Sequence, residues 1–161
     1  MVDSIDVSVV VPAKDERDNL APLVGEIDAA LGGRFEYELI YVDDGSVDGS
    51  HVVLRDLQTR FTRLKVLRHV HAVGQSMAVL SGVRHGRGDW LVVLDGDGQN
   101  DPADIPRLLD LLDQPEVIDG SAEQLSGSGS PARNARTVAR PCGVASMQFR
   151  RDPRCLCRWR Y

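Results

Sequence analysis

Short apolar runs alternate with longer segments of helical periodicity along the first 112 residues. The apolar runs are Val7–Val11, Leu39–Val42, Leu64–Leu67 and Trp90–Leu94, and turn-forming residues bound each of them. Runs of this kind are typical of strands that are covered on both faces, as the strands of parallel sheets are. Pro12 is expected to end the first strand, because proline cannot donate a hydrogen bond to a neighbouring strand.

A segment with apolar residues at helical spacing follows each of the four runs. The alternation predicts an α/β fold with a doubly wound, mostly parallel sheet, and the short linkers suit crossover connections. In the third segment, which Gly74 opens, Met77, Leu80 and Val83 are the expected packing residues. The apolar positions of the other three segments are Leu20, Leu23, Val24, Ile27 and Leu31; Val53, Leu54, Leu57 and Phe61; and Ile105, Leu108, Leu109 and Leu112.

Three of the predicted strands end in polar segments, namely Pro12–Glu16, Asp43–Ser46 and Asp95–Gln99. The carboxyl ends of parallel strands share one edge of the sheet, which is where open α/β sheets bind ligands. In the segment Asp95–Gln99, the carboxylates of Asp95 and Asp97 could together hold one hard cation, Mg²⁺ or Mn²⁺.

The segment Asp95–Gln99 has two further features that suit a bound phosphate or sugar. Gln99 supplies another oxygen, and Gly96 has no Cβ, so a ligand can approach the backbone closely. The alternative is structural, because Asp and Gly dominate turns and Asp43–Ser46 with Asp48 could cap a helix.

Charge and composition narrow the class of protein. The 161-residue chain has a net charge of −5, which argues against a nucleic-acid partner. Residues 1–112 carry 11 basic and 19 acidic side chains, whereas residues 113–161 carry 8 and 5. The sequence has no apolar run long enough to cross a bilayer and no secretory signal pattern. All three cysteines follow residue 141, which fits a cytosolic protein without a disulfide framework.

Several common nucleotide and hydrolase motifs are missing. The first strand is not followed by G-x-G-x-x-G, and the chain has no G-x-x-x-x-G-K-[ST] or G-x-S-x-G segment. Its four histidines are scattered and lack a partner motif, so the sequence assigns none of them a catalytic role.

Four ordered motifs over about residues 5–118 resemble those of family 2 glycosyltransferases. The opening Val9–Leu20 resembles V-V-P-x-x-N-E-x-x-N-L, and Val42–Gly49 resembles V-D-D-G-S-x-D-x. Gly74–Ala78 with Gly82 resembles the G-x-x-x-A-x-x-x-G helix, and Leu94–Pro102 resembles the D-x-D-x-Q-x-x-P element. The most similar subgroup comprises the dolichyl-phosphate mannose synthase-like and undecaprenyl-phosphate glycosyltransferases. The resemblance implies the nucleotide-diphospho-sugar transferase fold of GT-A type.

The resemblance also implies roles for particular residues. The nucleoside is expected at the ends of the first two strands, and the diphosphate and the cation at the end of the fourth. Asp95 and Asp97 would be the catalytic carboxylates, and Asp95, Asp97 and Gln99 would hold Mg²⁺ or Mn²⁺. The positions implied for nucleotide-sugar binding are Pro12, Lys14, Glu16, Val42, Asp44, Asp95, Gly96 and Asp97.

The implied reaction is inverting, metal-dependent transfer of a sugar from a UDP- or GDP-sugar donor to a polyprenyl phosphate. We therefore expect a cytoplasmic protein with peripheral contact to the inner face of the cell membrane. The alternatives are an inactive fragment that only binds the nucleotide sugar, and a transferase acting on a saccharide hydroxyl, which would need a carboxylate base. A sugar-nucleotidyl transferase is a weaker alternative, because the sequence lacks a glycine-rich basic loop after the first strand.

The expected domain boundary lies near residue 118. Residues 1–118 form the predicted nucleotide-sugar-binding domain, with Val117–Ile118 as a candidate fifth strand. Residues 119–161 form an irregular basic tail without strand or helix periodicity. Disorder, a shifted reading frame after truncation of the chain, and binding of anionic lipid headgroups by its arginines are alternative explanations of this tail.

Overall fold

The computed structural model describes residues 4–112, and the expectations for a fifth strand, a boundary near residue 118 and a basic tail lie outside this range. The described residues form an alternating chain of strands and helices. Its strands are β1 (Val7–Ala13), β2 (Tyr37–Asp43), β3 (Leu64–Arg68) and β4 (Trp90–Val93). Its helices are α1 (Arg17–Leu31), α2 (Ser50–Arg60), α3 (Gln75–His85) and α4 (Asp104–Leu112).

All strand pairs in this part of the chain are parallel, and the strand order is β3-β2-β1-β4. Helices α1, α2 and α4 cover one face, where their buried residues pack against Val9, Val11 and Tyr41. Helix α3 covers the other face, where Ala78 packs with Val10 and other apolar strand residues. The α/β fold with a doubly wound parallel sheet is therefore confirmed.

Strand β1 is longer than predicted, because it continues through Pro12 to Ala13. The backbone N–H and C=O groups of successive β1 residues point alternately toward β4 and toward β2. Val10 accepts a bond from Leu94, on the β4 side, and Ala13 accepts one from Asp44, on the β2 side. The missing N–H of Pro12 thus falls on the β4 side, beyond the last β1–β4 pair at Val10 and Val93, where no strand bond is lost.

Helix α3 packs chiefly through small residues, and of the predicted larger ones Val83 packs against the same cluster while partly exposed. Its buried residues are Ala78 and Gly82, whereas Met77 is 47% exposed. A Cβ added to Gly82 would lie 2.3 Å from Cγ1 of Val10 and 3.2 Å from Cγ2 of Val42. The helix therefore lies unusually close to the sheet. This close packing also sets how far the first turn of the helix lies from the ends of the strands.

Candidate active site at the carboxyl edge of the sheet

The polar strand exits predicted from the sequence do lie along one edge of the sheet. Strands β1, β2 and β4 are parallel, and their carboxyl ends lead into the segments that begin at Lys14, Asp44 and Leu94. Strand β4 lies on the opposite side of β1 from β2, so the order of strands reverses next to β1. This is the position at which open α/β sheets form a ligand crevice.

The carboxylate of Asp44 is the most tightly held acidic group at this edge. Its side chain is 5% exposed. Oδ1 accepts a bond from the backbone N–H of Val73 at 2.9 Å and lies 2.7 Å from Nδ1 of His69, while Oδ2 accepts from the N–H of Gly74 at 2.8 Å. Asp44 is thereby fixed to the turn that precedes α3.

These contacts control the charge of Asp44. Burial alone would raise its pKa, but the bonds from His69, Val73 and Gly74 outweigh burial and lower the pKa below its ordinary value. The side chain is therefore ionised near neutral pH. Three donors occupy three of the roughly four acceptor positions of a carboxylate, which leaves about one for a ligand hydroxyl or N–H group.

Other polar residues near Asp44 support the backbone, as the structural alternative expected. Asp43 accepts a bond from the N–H of Ser46 and lies 3.2 Å from Nε of Arg68. Asp48 accepts bonds from the N–H groups of Ser50 and Arg17, and so stabilises the turn before α2.

The segment after β4 packs directly on the end of β1. A Cβ added to Gly96 would lie 3.0 Å from the carbonyl oxygen of Pro12 and 3.0 Å from Cβ of Ala13. Asp95 is half-buried, and its Oδ1 accepts a bond from Nε2 of Gln75 at 2.9 Å. Because Gln75 follows Gly74, Asp44 and Asp95 both contact the first residues of α3 from separate strands.

The remaining predicted metal ligands are exposed. Asp97 accepts a bond from the backbone N–H of Gln99 at 3.0 Å, which folds the segment into a turn. No cluster of three His, Cys, Asp or Glu side chains suited to a metal ion occurs between residues 4 and 112. The oxygen donors of Asp95, Asp97 and Gln99 still fit Mg²⁺ or Mn²⁺, since such ions often take one or two carboxylates and complete their shell with substrate phosphates.

The residues expected at the nucleoside occupy different environments. Lys14 is exposed, whereas Pro12 and Val42 are buried and Val42 packs beneath α3. Val42 therefore presents no side chain to a ligand. Glu16 is half-buried and accepts a bond from Nδ2 of Asn19 at 2.6 Å.

Glu16 also acts on a buried tyrosine. The hydroxyl of Tyr41 has no hydrogen-bond partner among the described residues. Burial, together with the nearby Glu16 carboxylate, raises the pKa of Tyr41 far above its usual range.

Three polar residues of this edge were not identified from the sequence. His69 and Gln75 contact Asp44 and Asp95, and Ser81 lies 3.0 Å from Nε2 of His69 through its Oγ. Their separations from the carboxylates along the chain are 25 residues for His69 and 20 for Gln75. No local pattern signals such pairs, although the Gly74 motif did mark the helix that carries two of them.

Comparison with known protein families decides where this chain belongs. The sequence model described as glycosyl transferase family 2 matches residues 8–156, which is most of the chain. The chain belongs to glycosyl transferase family 2. The match begins at the second residue of β1, includes the other three described strands and extends past the described residues.

The names of two curated relatives contain undecaprenyl phosphate and dolichol phosphate. The chain is 38% identical over 120 residues to the undecaprenyl-phosphate 4-deoxy-4-formamido-L-arabinose transferase of Edwardsiella ictaluri, covering 73% of this chain and 37% of that protein. It is 39% identical over 106 residues to the dolichol-phosphate mannosyltransferase of Pyrococcus furiosus, covering 66% and 30%. The chain thus spans about a third of the length of these relatives.

Solved structures of glycosyltransferases share the fold. The mannosyltransferase PcManGT from Pyrobaculum calidifontis, in complex with GDP-Man and Mn²⁺, superposes with a TM-score of 0.62 at 22% identity, over 71% of this chain and 34% of that one. S. aureus TarS 1-349 in complex with UDP-GlcNAc gives 0.60 at 18% identity, over 68% and 31%. These likenesses agree with the expected GT-A type of fold.

Proposed function

We propose that this glycosyl transferase family 2 chain binds the nucleoside diphosphate part of a UDP- or GDP-sugar and transfers the sugar to a polyprenyl phosphate. The observation that carries the proposal is the placement of Asp44 and Asp95 on the two sides of the first turn of α3. Both carboxylates lie at the strand ends where open α/β sheets bind ligands. The names of the curated relatives support the lipid phosphate as acceptor.

The two carboxylates suit the two halves of a nucleoside diphosphate. Asp44 is ionised and keeps about one acceptor position, which suits a ribose hydroxyl or a base N–H. Asp95, Asp97 and Gln99 present oxygen atoms on the β4 side, and Gly96 keeps that segment against β1 without a side chain in between. The diphosphate is assigned to this side.

These three residues would hold Mg²⁺ or Mn²⁺ together with the diphosphate. The bound cation would offset the negative charge that grows on the leaving group. Asp95 is in contact with Gln75, which holds one carboxylate oxygen in place. The protein's contribution is thus to orient the oxygen atoms before the donor arrives.

In the proposed reaction, an oxygen of the lipid phosphate attacks the anomeric carbon of the sugar from the face opposite the diphosphate. The new carbon–oxygen bond forms as the bond to the β-phosphate oxygen breaks, so the configuration inverts and the electron pair leaves with the nucleoside diphosphate. A phosphate acceptor is already ionised near neutral pH, and a general base is therefore dispensable. The proposed acceptor is a membrane lipid, and we propose that the protein works at the cytoplasmic face of the membrane.

None of the helices described between residues 4 and 112 is both long enough and apolar enough to cross a bilayer. Independently of that finding, we propose that the contact with the membrane is peripheral.

The second candidate function is nucleotide-sugar binding without transfer. It is favoured by one observation, namely that all the residues proposed to bind the donor lie between residues 4 and 112. The nucleoside half of the site lies within the described residues, whereas none of them is assigned to the acceptor.

Calorimetric titration with UDP and with GDP, each with and without Mn²⁺, tests binding, and transfer of labelled sugar to a short polyprenyl phosphate tests catalysis. We expect one nucleotide to bind more tightly with Mn²⁺ and transfer to require the metal. Binding without transfer would favour the second function. Absence of binding to both nucleotides would contradict both functions.

A further inference from the structure

The side chain of His69 lies between Asp44 and helix α3. It follows β3, and its backbone N–H donates to the carbonyl of Asp43 at 2.9 Å. Nδ1 lies 2.7 Å from Oδ1 of Asp44, and Nε2 lies 3.0 Å from Oγ of Ser81. With 19% of its side chain exposed, the imidazole is mostly enclosed by these partners.

The chemistry of the partners fixes the orientation of the ring. An ionised carboxylate only accepts hydrogen bonds, so Nδ1 must carry a proton and donate it to Asp44. The Ser81 hydroxyl can donate to Nε2 or accept from it, so it holds the far side of the ring in either case. Asp44 thereby receives a hydrogen bond from His69, whose ring is held on its other side by Ser81 of α3.

A second set of donors comes from the turn before α3. The N–H groups of Val73 and Gly74 hold the same carboxylate. Without the imidazole, Asp44 would keep these two donors, but Oδ1 would lose one of its two partners and the carboxylate would be held less firmly about its side-chain bonds. Its remaining acceptor position would then be less well directed.

We propose that His69 is a positioning residue, which acts through Asp44 to keep the one remaining acceptor position of that carboxylate aimed at the nucleoside. This inference rests on the proposed function, because it takes Asp44 as a nucleotide-binding group. A matched set of variants of the full chain tests it.

The first pair is His69→Leu and His69→Asn. Leucine is of comparable size and has no donor, whereas the amide nitrogen of asparagine is bonded to Cγ, as Nδ1 is in histidine. We expect His69→Leu to weaken nucleotide binding by about ten-fold, the loss typical of one hydrogen bond to a charged group. His69→Asn should bind within about three-fold of the unchanged protein, since it restores the donor.

The control is His85→Leu, which makes the same change at the exposed far end of α3, where Nδ1 lies 2.8 Å from the carbonyl of Ser81. It should leave nucleotide affinity unchanged. If His69→Leu binds as tightly as the unchanged protein, or if His69→Asn loses as much as His69→Leu while both melt at the normal temperature, the proposal is wrong.

A double-variant cycle separates action through Asp44 from general loosening. Adding His69→Leu to Asp44→Asn should change affinity by less than about two-fold, because the group through which His69 acts is already altered. An additional ten-fold loss would show that His69 acts elsewhere. Should His69→Leu fail to fold, Ser81→Ala takes its place, with an expected loss of about three-fold for a neutral hydrogen bond, and unchanged binding would contradict the proposal.

Nitrogen-15 NMR of the imidazoles decides the contact without any nucleotide. The His69 ring should show a protonated Nδ1, and Asp44→Asn should shift its signals. Signals that do not respond to Asp44→Asn would overturn the positioning role even if the protein bound neither UDP nor GDP. Failure of the proposed function alone would instead show as responsive signals with no nucleotide binding.

Discussion

Two buried carboxylates lie at opposite ends of β2 and are held in different ways. Glu38 lies near the start of the strand, with 3% of its side chain exposed, and Asp44 follows the end of the strand, with 5% exposed. Glu38 accepts bonds from the hydroxyl of Ser8 at 2.6 Å and from the N–H of Arg87, and its other oxygen lies 2.5 Å from Nζ of Lys65 and 3.4 Å from Nε of Arg87. Asp44 is held by two backbone N–H groups and an imidazole.

The difference lies in charge compensation rather than in burial. Glu38 faces the basic side chains of Lys65 and Arg87, so its charge is balanced within the fold. The neighbour of Asp44, Asp43, is likewise paired with Arg68. Asp44 has no Lys or Arg partner among the contacts that orient it, which are two backbone N–H groups and an imidazole, and about one of its acceptor positions stays available to a ligand. A buried acid without a fixed cationic partner is therefore the better candidate for function in this fold.

The largest expected effect comes from removing the carboxylates of the β4 side. The double variant Asp95→Ala and Asp97→Ala should lower the affinity for the bound nucleotide in Mn²⁺ by about a hundred-fold, or about 2.7 kcal/mol. The unfolding midpoint should change little, since Asp97 is exposed and Asp95 is only half-buried. Titration with and without Mn²⁺ measures both affinities, and an unchanged metal requirement would contradict the assignment.

The opposite edge should respond in stability alone. Glu38→Gln leaves Lys65 and Arg87 without their partner and should lower the free energy of unfolding by about 2 kcal/mol, at the low end for a buried pair because both cations are partly exposed. Nucleotide affinity should be unchanged. Urea unfolding measures the loss, with Glu36→Gln as control, since the Glu36–Arg63 pair is exposed. An equal loss in both variants would remove the distinction between the two edges.

A smaller effect should appear in acid. Burial alone would raise the pKa of Glu38, but the bonds from Lys65, Ser8 and the N–H of Arg87 lower it below the ordinary value of 4.5. A lowered pKa in the folded state adds stability that is complete above the ordinary value and is lost as pH falls through the folded value.

The free energy of unfolding should therefore decline below about pH 5. Glu38→Gln should show a shallower decline, and Glu36→Gln should keep the full one. Urea midpoints between pH 7 and pH 3 measure the slopes, and parallel slopes in the two variants would show that Glu38 does not titrate with folding.

Apolar periodicity was enough to predict the element order and the parallel sheet. Strand β2 is buried along its whole length, and its central run Leu39–Val42 is apolar without interruption, which is a strong local signal. The prediction that Pro12 ends β1 was wrong, because it depends on which neighbour its nitrogen faces, and that is decided by the pairing of β1 with two other strands.

The contacts of the site were less predictable. The strand-end acids were identified because each follows its own apolar run, but whether an acid is compensated depends on residues far along the chain. Arg68 pairs with Asp43, and His69 holds Asp44. The resemblance selected Asp44, and not Asp43, as a nucleotide-binding position, but no local pattern indicated that Arg68 and His69 would be the partners of these two acids.

The close packing of α3 against the sheet has a consequence for how such a site changes over evolution. Gly82 allows α3 to pack closely against Val10 and Val42. The other end of the same helix carries Gly74 and Gln75, which contact Asp44 and Asp95. A methyl group added at Gly82 would move the helix away from the sheet. The spacing between Asp44 and Asp95 would then change, although neither acid had been replaced. Donor preference can in this way drift through substitutions hidden beneath a helix, at positions that no ligand ever touches.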